Sequence, residues 1–286
     1  MNAIETNHLT KFYGSARGIE NLELTVEQGD FFGFIGPNGA GKSTTIRTLL
    51  GLISPTSGDA KVLGLDIRKD KTEILTRVGY LPSEITFYPG MKVKDVLRLS
   101  AGLRRQNCDR EAEALCRRLQ LDQSRRVEDL SLGNRKKVGI VCALQHNPEL
   151  LILDEATSGL DPVVRGEMLD LFLDFIQDEQ HSILLSSHIT SDLEQVADSI
   201  ALLHQGRLIF HKNKDELMQE YGILRCSEDQ LRSLPKDWVV ASHRGGCGWE
   251  SLIHPRARVL HALPGAVCDP ANIDDIMRFY CGRDHQ

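Results

Sequence analysis

Long hydrophobic runs are missing from this chain of 286 residues. No stretch approaches the roughly 18 consecutive apolar residues that a membrane-spanning helix needs. The first residues, MNAIETNHLT, also lack the basic segment followed by an apolar one that marks a signal peptide. We therefore expect that, if the protein serves a membrane, it does so through a partner.

Recognisable cysteine patterns and a basic charge surplus are missing as well. The chain has 7 cysteines, an odd number with no C-x-x-C pair, which disfavours a disulfide framework and favours a reducing cytosol. The 40 acidic residues outnumber the 34 basic ones, for a formal net charge of −6. General nucleic-acid binders usually carry a basic surplus, so we expect no nucleic-acid partner.

Buried strands alternate with helical segments over the first three quarters of the chain. The compact apolar runs FFGFI, LLIL and SILLSS are typical of buried strands, and apolar residues at helical spacing lie between them. SIALLHQGRLIF predicts a hairpin around Gln205-Gly206, and Ser191–Glu194 has the spacing of a capping box at a helix start. The alternation predicts an α/β domain over residues 1–215.

The composition changes after residue 215. Both tryptophans and 4 of the 7 cysteines fall in the last part of the chain, which predicts short strands, turns and a final helix, IDDIMRFY. We expect residues 216–286 to form a small C-terminal α+β accessory domain.

A glycine-rich stretch, GPNGAGKST, fits the pattern G-x-x-x-x-G-K-[ST] between a predicted strand and a predicted helix. Glycines allow backbone N–H groups to converge on phosphate oxygens, and the helix N-terminus adds the positive end of its dipole. Lys42 would reach the β- and γ-phosphates, and the Ser43 hydroxyl would ligate Mg²⁺. The alternative, an ordinary glycine-rich turn, is disfavoured by the strand–loop–helix setting. The predicted phosphate-binding residues are Gly36, Asn38, Gly39, Gly41, Lys42, Ser43 and Thr44.

A second acidic element follows the predicted strand LLIL. Asp154 and Glu155 come where a buried strand ends, the edge at which α/β proteins bind ligands. Asp154 would hold Mg²⁺ and Glu155 would polarise an attacking water. The alternative is a strand that ends in a solvated acidic turn, which is less favoured once a phosphate-binding loop lies in the same domain.

The order of five motifs, GPNGAGKST, LSLGN, LLILDE, SGLD and SSH, resembles the ATP-binding subunit of ATP-binding cassette (ABC) transporters over about residues 3–215. The resemblance implies a P-loop NTPase fold of the cassette type, with a mixed sheet core, a β-subdomain and a helical subdomain at about residues 84–147. It also implies two cassettes that face each other head to tail, with each ATP between one subunit's phosphate loop and the other's signature motif.

The resemblance further assigns roles by position. Tyr13 would stack on adenine, and His188 would bond the γ-phosphate and act with Glu155 and Lys42 in catalysis. Ser131 and Gly133, in the signature motif LSLGN, would contact the γ-phosphate across the interface. Asp161, in SGLD, would join the nucleotide-binding residues at the seam of the dimer.

The sequence departs from the family pattern at two places. Ser83 stands where the family has a magnesium-contacting glutamine, and serine is too short to span the same distance unless Glu84 or a bridging water compensates. In the signature motif, Leu132 replaces a glycine and Asn134 replaces a glutamine. The three charges that follow, Arg135 to Lys137, are expected to form a solvated face at a helix start.

The sequence therefore predicts an ATP-hydrolysing subunit that uses ATP and Mg²⁺ and powers a separate transmembrane permease, with export favoured. Its partners would be a second cassette and the permease, which would place it in the cytoplasm at the inner face of the membrane. The alternatives are a soluble ABC-type ATPase and an ATP-dependent regulatory module. Neither a second cassette nor a long coiled coil, which the soluble types carry, fits within this length.

Overall fold

The structure is a computed structural model that describes residues 1–246 and 248–282. Cys247 and the last four residues of the predicted accessory domain lie outside this range. The strands are β1 (Asn2–Tyr13), β2 (Ala16–Leu22), β3 (Thr25–Glu27), β4 (Phe31–Ile35), β5 (Ser57–Val62), β6 (Leu65–Asp66), β7 (Val78–Leu81), β8 (Leu150–Asp154), β9 (Ser182–Ser187), β10 (Ser199–His204), β11 (Arg207–Asn213), β12 (Gly222–Cys226), β13 (Val239–Gly245), β14 (Gly248–Ile253) and β15 (Val267–Pro270). The helices are α1 (Lys42–Leu49), α2 (Lys71–Arg77), α3 (Val93–Leu103), α4 (Asp109–Arg118), α5 (Leu132–Leu144), α6 (Pro162–Ile176), α7 (Thr190–Val196), α8 (Lys214–Glu220), α9 (Glu228–Ser233), α10 (Arg256–Ala262) and α11 (Ile273–Cys281).

A six-stranded sheet in the order β11-β10-β4-β9-β8-β7 forms the centre of the fold. Its strands are parallel except β11, which pairs antiparallel with β10 through a turn in which Gln205 (φ 46°) and Gly206 (φ 76°) are both left-handed. Ile35 pairs with Ser187 and Asp154 with Ser186, so β4, β8 and β9 end together at one edge. This edge carries the residues discussed below.

Hydrophobic residues cover both faces of the central sheet. In β8, Leu151 and Leu153 belong to one buried cluster, whereas Leu150 and Ile152 belong to another on the opposite face. The alternation follows from the two-residue period of a strand, and it explains why the run is continuously apolar. The first cluster extends to α3–α7, and the second to α1 and the N-terminal sheet.

Two further sheets complete the architecture. The N-terminal one has the order β2-β1-β5-β6, with β3 also paired to β1, and the C-terminal one has the order β13-β14-β12-β15. The mixed central sheet, the β-subdomain and the helical segment α3–α5 confirm the predicted cassette fold. No helix in the described ranges is long and apolar enough to cross a membrane.

The C-terminal sheet and its helices share a hydrophobic core with the rest of the molecule. Ile273, Ile276 and Phe279 of α11 belong to the same buried cluster as Leu193 of α7. The carboxylate of Glu194 accepts a hydrogen bond of 2.8 Å from the backbone N–H of Ile273, at the start of α11. The boundary predicted at residue 215 falls inside α8, and the division into two domains stays a prediction.

The capping box predicted at Ser191–Glu194 was wrong. A box with Ser191 as N-cap would start the helix at Asp192, but α7 begins at Thr190, and no side chain caps its N-terminus. The Ser191 hydroxyl instead accepts a 2.7 Å hydrogen bond from Arg165 of α6, and the Glu194 side chain accepts from Ile273. Tertiary contacts therefore occupy both side chains that the local pattern would have used.

Candidate functional site

The phosphate-loop sequence joins β4 to α1 at the carboxyl edge of the central sheet. Gly36 (φ 152°) and Gly41 (φ 111°) need to be glycine, because a Cβ would lie 2.2 Å from the Leu203 carbonyl oxygen at Gly36 and 2.6 Å from the Gly18 carbonyl oxygen at Gly41. Lys42 is only 5% exposed, and its ammonium donates 2.6 Å to the Gly36 carbonyl. The lysine is thus held inside the loop that precedes it.

A cleft of about 380 Å³ opens above this loop. Tyr13 lies at its rim with 48% of its surface exposed, so its ring is available for stacking. Ser83 and Glu155 line the opposite side. The lining residues are Tyr13, Arg17, Gly18, Asn38, Gly39, Ala40, Gly41, Lys42, Ser43, Thr44, Ser83 and Glu155.

Besides Ala40 within the loop itself, the sequence prediction missed two lining residues, Arg17 and Gly18. Both belong to β2, which pairs antiparallel with β1 so that Arg17 lies opposite Phe12, next to Tyr13. A Cβ on Gly18 would approach the Thr44 methyl group to 2.9 Å and the Tyr13 ring to 3.0 Å. A β-hairpin around Gly14 would have been the signal, since it folds these residues back over the phosphate loop.

Asp154, the last residue of β8, is completely buried. Its Oδ1 accepts a 2.6 Å hydrogen bond from the Ser186 hydroxyl, whereas its Oδ2 has no hydrogen-bond partner among the described residues. A buried carboxylate oxygen without a partner destabilises the fold unless a cation or a hydrogen-bond donor binds to it. Carboxylate and hydroxyl oxygens are ligands that Mg²⁺ prefers, so the chemistry of Asp154 and Ser43 fits a magnesium site, and of the two only Ser43 lines the cleft.

Glu155 is contacted from several directions. Its backbone adopts a left-handed conformation (φ 54°), and its N–H donates 3.0 Å to the Ser186 carbonyl. One carboxylate oxygen lies 3.5 Å from the Lys42 ammonium, and the other lies 2.5 Å from His188 Nδ1. A carboxylate only accepts hydrogen bonds, so Nδ1 is the ring nitrogen that carries hydrogen here. A backbone conformation this unusual for glutamate persists only where surrounding contacts fix it.

The signature-motif residues lie at the start of α5 and do not line the described cleft. Ser131 is the N-cap, and its hydroxyl accepts a 3.3 Å hydrogen bond from the Asn134 N–H. The space beside Gly133 is bounded by Leu160 and Val164. Asp161 caps α6 in the same way, with one carboxylate oxygen 3.1 Å from the N–H groups of two following residues. Ser131, Gly133 and Asp161 therefore lie outside the cleft that Lys42 lines.

The two departures from the family pattern have defined positions. Ser83 lines the cleft, whereas Glu84 is exposed and is not a lining residue, so Glu84 does not replace the missing glutamine here. Leu132 is 48% exposed, and one of its methyl groups would lie 3.3 Å from a Cβ at Gly159. The substituted leucine therefore covers the turn between β8 and α6.

The solvated face predicted for Arg135 to Lys137 was wrong for two of the three residues. Lys136 is 4% and Lys137 is 6% exposed. The Lys137 ammonium pairs with Glu167 at 2.7 Å, and the Lys136 ammonium bonds to carbonyl oxygens of the turn after β8. The Lys136 ammonium contacts the turn after β8, whereas the Lys137 ammonium contacts the Leu119 carbonyl and Glu167 of α6, and a count of charges along the sequence could not show this.

Comparison with known proteins agrees with this geometry. Residues 19–158 match the protein family described as ABC transporter. The bacitracin transport ATP-binding protein BcrA of Bacillus licheniformis is 42% identical over 209 residues, which cover 72% of this chain and 68% of that protein. A solved ATP-binding subunit of an ABC transporter superposes with a TM-score of 0.69 at 30% identity, covering 75% of this chain and 91% of that one. A dimeric ATP-binding cassette bound to ADP and phosphate shares the fold, with a TM-score of 0.65 at 19% identity over 73% of this chain and 98% of that one.

Proposed function

Because the chain belongs to the ABC transporter family, as an ATP-binding subunit that hydrolyses ATP, we propose that the cleft above residues 36–44 holds the nucleotide. One observation carries the proposal: the Glu155 carboxylate lies between Lys42 and His188 at the wall of this cleft. The arrangement brings a base, a cation and an imidazole to the place where a terminal phosphate would lie.

The cleft suits the parts of ATP in order. Tyr13 offers an exposed ring for the adenine, and the N–H groups of residues 38–44 surround the phosphates at the start of α1. Lys42 neutralises the β- and γ-phosphates. Mg²⁺, held by Ser43 and Asp154, would supply charge neutralisation between these phosphates. Ser83 contributes only a short hydroxyl on this side, so it would reach the ion through water.

In the hydrolytic step, Glu155 orients the attacking water and accepts its proton. The water oxygen bonds to the γ-phosphorus while the bond to the oxygen that bridges the β- and γ-phosphates breaks, which releases ADP and phosphate. His188 donates through Nδ1 to the Glu155 carboxylate and so fixes its orientation. The more exposed part of the imidazole is then free to contact the γ-phosphate.

A second cassette completes each site in this proposal. Ser131, Gly133 and Asp161 lie outside the cleft of their own chain, on caps of α5 and α6 that suit a phosphate from a facing subunit. The dimeric relative that binds ADP and phosphate supports this arrangement. A head-to-tail pair then closes around two ATP molecules and reopens after hydrolysis.

A membrane permease is the second proposed partner. Leu103, at the end of α3, and Tyr88, before α3, expose 78% and 70% of their surfaces, so each offers an apolar side chain that a permease could cover. The similarity to a bacitracin transport subunit favours export of an antibiotic-like or drug-like cargo over a soluble or purely regulatory role. We place the chain at the cytoplasmic face of the membrane, bound through the permease.

Glu155→Gln tests the catalytic part of the proposal. The variant should bind ATP normally and lose at least about 100-fold in turnover, because the general base is gone while the cleft is intact. Glu149→Gln is a matched control, since Glu149 lies at the opposite end of β8 and pairs with Arg77. Full turnover in Glu155→Gln would contradict the role given to Glu155.

Capture of the tagged chain from its own membranes tests the transport part. We expect a multispanning membrane protein to co-purify and to raise ATP turnover when it is added back. A chain found only free of membranes, with turnover that no membrane protein changes, would contradict the assignment to a permease.

A further inference from the structure

A buried cation from α5 meets the turn that carries Glu155. The Lys136 ammonium donates to the carbonyl oxygens of Glu155 at 2.8 Å, Ala156 at 3.1 Å and Ser158 at 2.6 Å. Only 4% of Lys136 is exposed. All three contacts go to backbone oxygens of one four-residue turn, so the side chain acts on the shape of the turn.

The turn needs such contacts because its backbone is unusual. Glu155 has a φ of 54°, which costs a residue with a Cβ about 1–3 kcal/mol unless neighbours over-determine it. The Lys136 contact fixes the Glu155 carbonyl, and the Ser186 carbonyl accepts from the Glu155 N–H. Together these bonds fix both peptide planes that flank the glutamate Cα.

The start of α5 packs on the same turn. A methyl group of Leu132 lies over Gly159, and Gly133 faces Leu160. The signature residues and the turn after β8 are therefore neighbours within one chain. A shift of α5 along its axis would move the Lys136 ammonium and the carbonyls that it contacts.

Lysine suits this position for a geometric reason. An ammonium has three N–H bonds in a tetrahedral arrangement, and each one meets a carbonyl here. Burial lowers the pKa of Lys136, whereas the nearby Glu155 carboxylate raises it. Glutamine has two donors on one nitrogen, and methionine has none, so either substitution leaves buried carbonyl oxygens unpaired.

We propose that Lys136 is a positioning residue that holds the turn from Glu155 to Ser158, and with it the catalytic carboxylate, in register with the start of α5. The proposal rests on the function proposed above, in which Glu155 is the base. In a head-to-tail pair, Ser131 serves the nucleotide of the facing subunit while Glu155 serves that of its own.

Lys136→Met tests this role against Lys137→Met, the neighbouring buried lysine whose ammonium bonds to Leu119 and Glu167 instead. We expect Lys136→Met to lower kcat by about 10- to 100-fold, as displacements of about 1 Å at a reacting centre do, with an ATP dissociation constant within about threefold of wild type. Lys137→Met should lose thermal stability but keep kcat within about threefold. Lys136→Arg, which keeps a buried charge and several donors, should restore part of the turnover.

Three results would overturn the proposal: wild-type kcat in Lys136→Met, an equal loss in Lys137→Met, or a Lys136→Met defect confined to ATP affinity. If Lys136→Met does not fold, Lys136→Gln is assayed by the same criteria. Glu155→Gln runs in parallel. Turnover in that variant refutes the base itself, whereas an inactive Glu155→Gln beside a fully active Lys136→Met refutes only the positioning role.

Mixed pairs of differently tagged copies locate the effect within the dimer. One copy carries Glu155→Gln and cannot hydrolyse the ATP in its own cleft. Hydrolysis then occurs only in the cleft of the other copy, which keeps Glu155. Lys136→Met added to the copy with the intact glutamate should lower the remaining turnover by the same factor of about 10 to 100, and added to the Glu155→Gln copy it should change little. The opposite pattern would assign Lys136 to the signature surface and overturn the proposal.

Discussion

Asp30 gives the fold a pH dependence that can be measured. The residue precedes β4, where burial raises the pKa of its carboxyl from 3.8 to about 6. A hydrogen bond with the Ser199 side chain lowers this pKa, and the nearby carboxylates of Asp198 and Glu27 raise it further. Compared with the unfolded chain, the folded state therefore disfavours the charged form of Asp30, and at neutral pH, where the carboxyl is mostly ionised, this lowers the stability of the fold.

The magnitude and sign follow from that shift. About two pKa units correspond to a ceiling of about 3 kcal/mol, and because Asp30 is only partly buried, solvent screening reduces this to about 1–2 kcal/mol. The folded state binds the proton more tightly than the unfolded chain, so stability is lost as pH rises from about 4 to about 6. Asp30→Asn removes the charge and should raise the free energy of unfolding at pH 7.5 by about 1–2 kcal/mol.

The assay is urea unfolding of the wild type and of Asp30→Asn at several pH values. About half of the gain in Asp30→Asn should be gone at pH 5, and nearly all of it at pH 4. Asp66→Asn is a control of opposite sign, since backbone N–H groups of Arg68 and Lys69 lower the pKa of Asp66, and it should destabilise at neutral pH. A gain in Asp30→Asn that is equal at pH 7.5 and pH 4 would refute the electrostatic origin.

Two further outcomes concern the nucleotide cleft. Tyr13→Ala should weaken ATP binding about 3- to 10-fold in calorimetric titration. Tyr13→Phe should keep the wild-type affinity, because stacking needs the ring and not the hydroxyl. Wild-type affinity in Tyr13→Ala would contradict the stacking role of Tyr13. Gly36→Ala should cost about 3 kcal/mol or more of stability, since its Cβ would collide with the Leu203 carbonyl. Gly39→Ala, which has open space around it, should cost only about 1–2 kcal/mol for its left-handed backbone, and equal losses in thermal or urea unfolding would contradict the packing argument.

The parts of this fold that the sequence predicts are those that local rules determine. Continuous apolar runs predict β4, β8 and β9, because strands covered on both faces need no polar positions. Although the carbonyls that require glycine at positions 36 and 41 belong to the distant Leu203 and Gly18, the phosphate loop itself is predicted by a local pattern of nine residues between a strand and a helix. The turn at Gln205-Gly206 follows the same principle.

The remaining features depend on contacts between distant segments. Lys136 and Lys137 look like surface charges in the sequence, but in the fold they donate to the turn after β8 and to Glu167 of α6. The side chains of Ser191 and Glu194 do not cap α7; they accept hydrogen bonds from Arg165 and from the Ile273 N–H instead. Arg17 enters the cleft because a hairpin folds it there. The hairpin of Arg17 is local, and its turn at Gly14 is a signal that the sequence does carry. The partners of the two lysines, of Ser191 and of Glu194 lie many residues away, and a single sequence carries no record of those pairings.

The attachment of α11 to α7 ties the end of the chain to the central sheet. Leu193 and Val196 on α7 are buried in a cluster that α11 helps to complete, and α7 directly follows the loop of His188. Leu193 also lies against Gly33 of β4, so α7 is held between α11 and the sheet. Removal of α11 would therefore uncover apolar surface on the helix that follows the His188 loop.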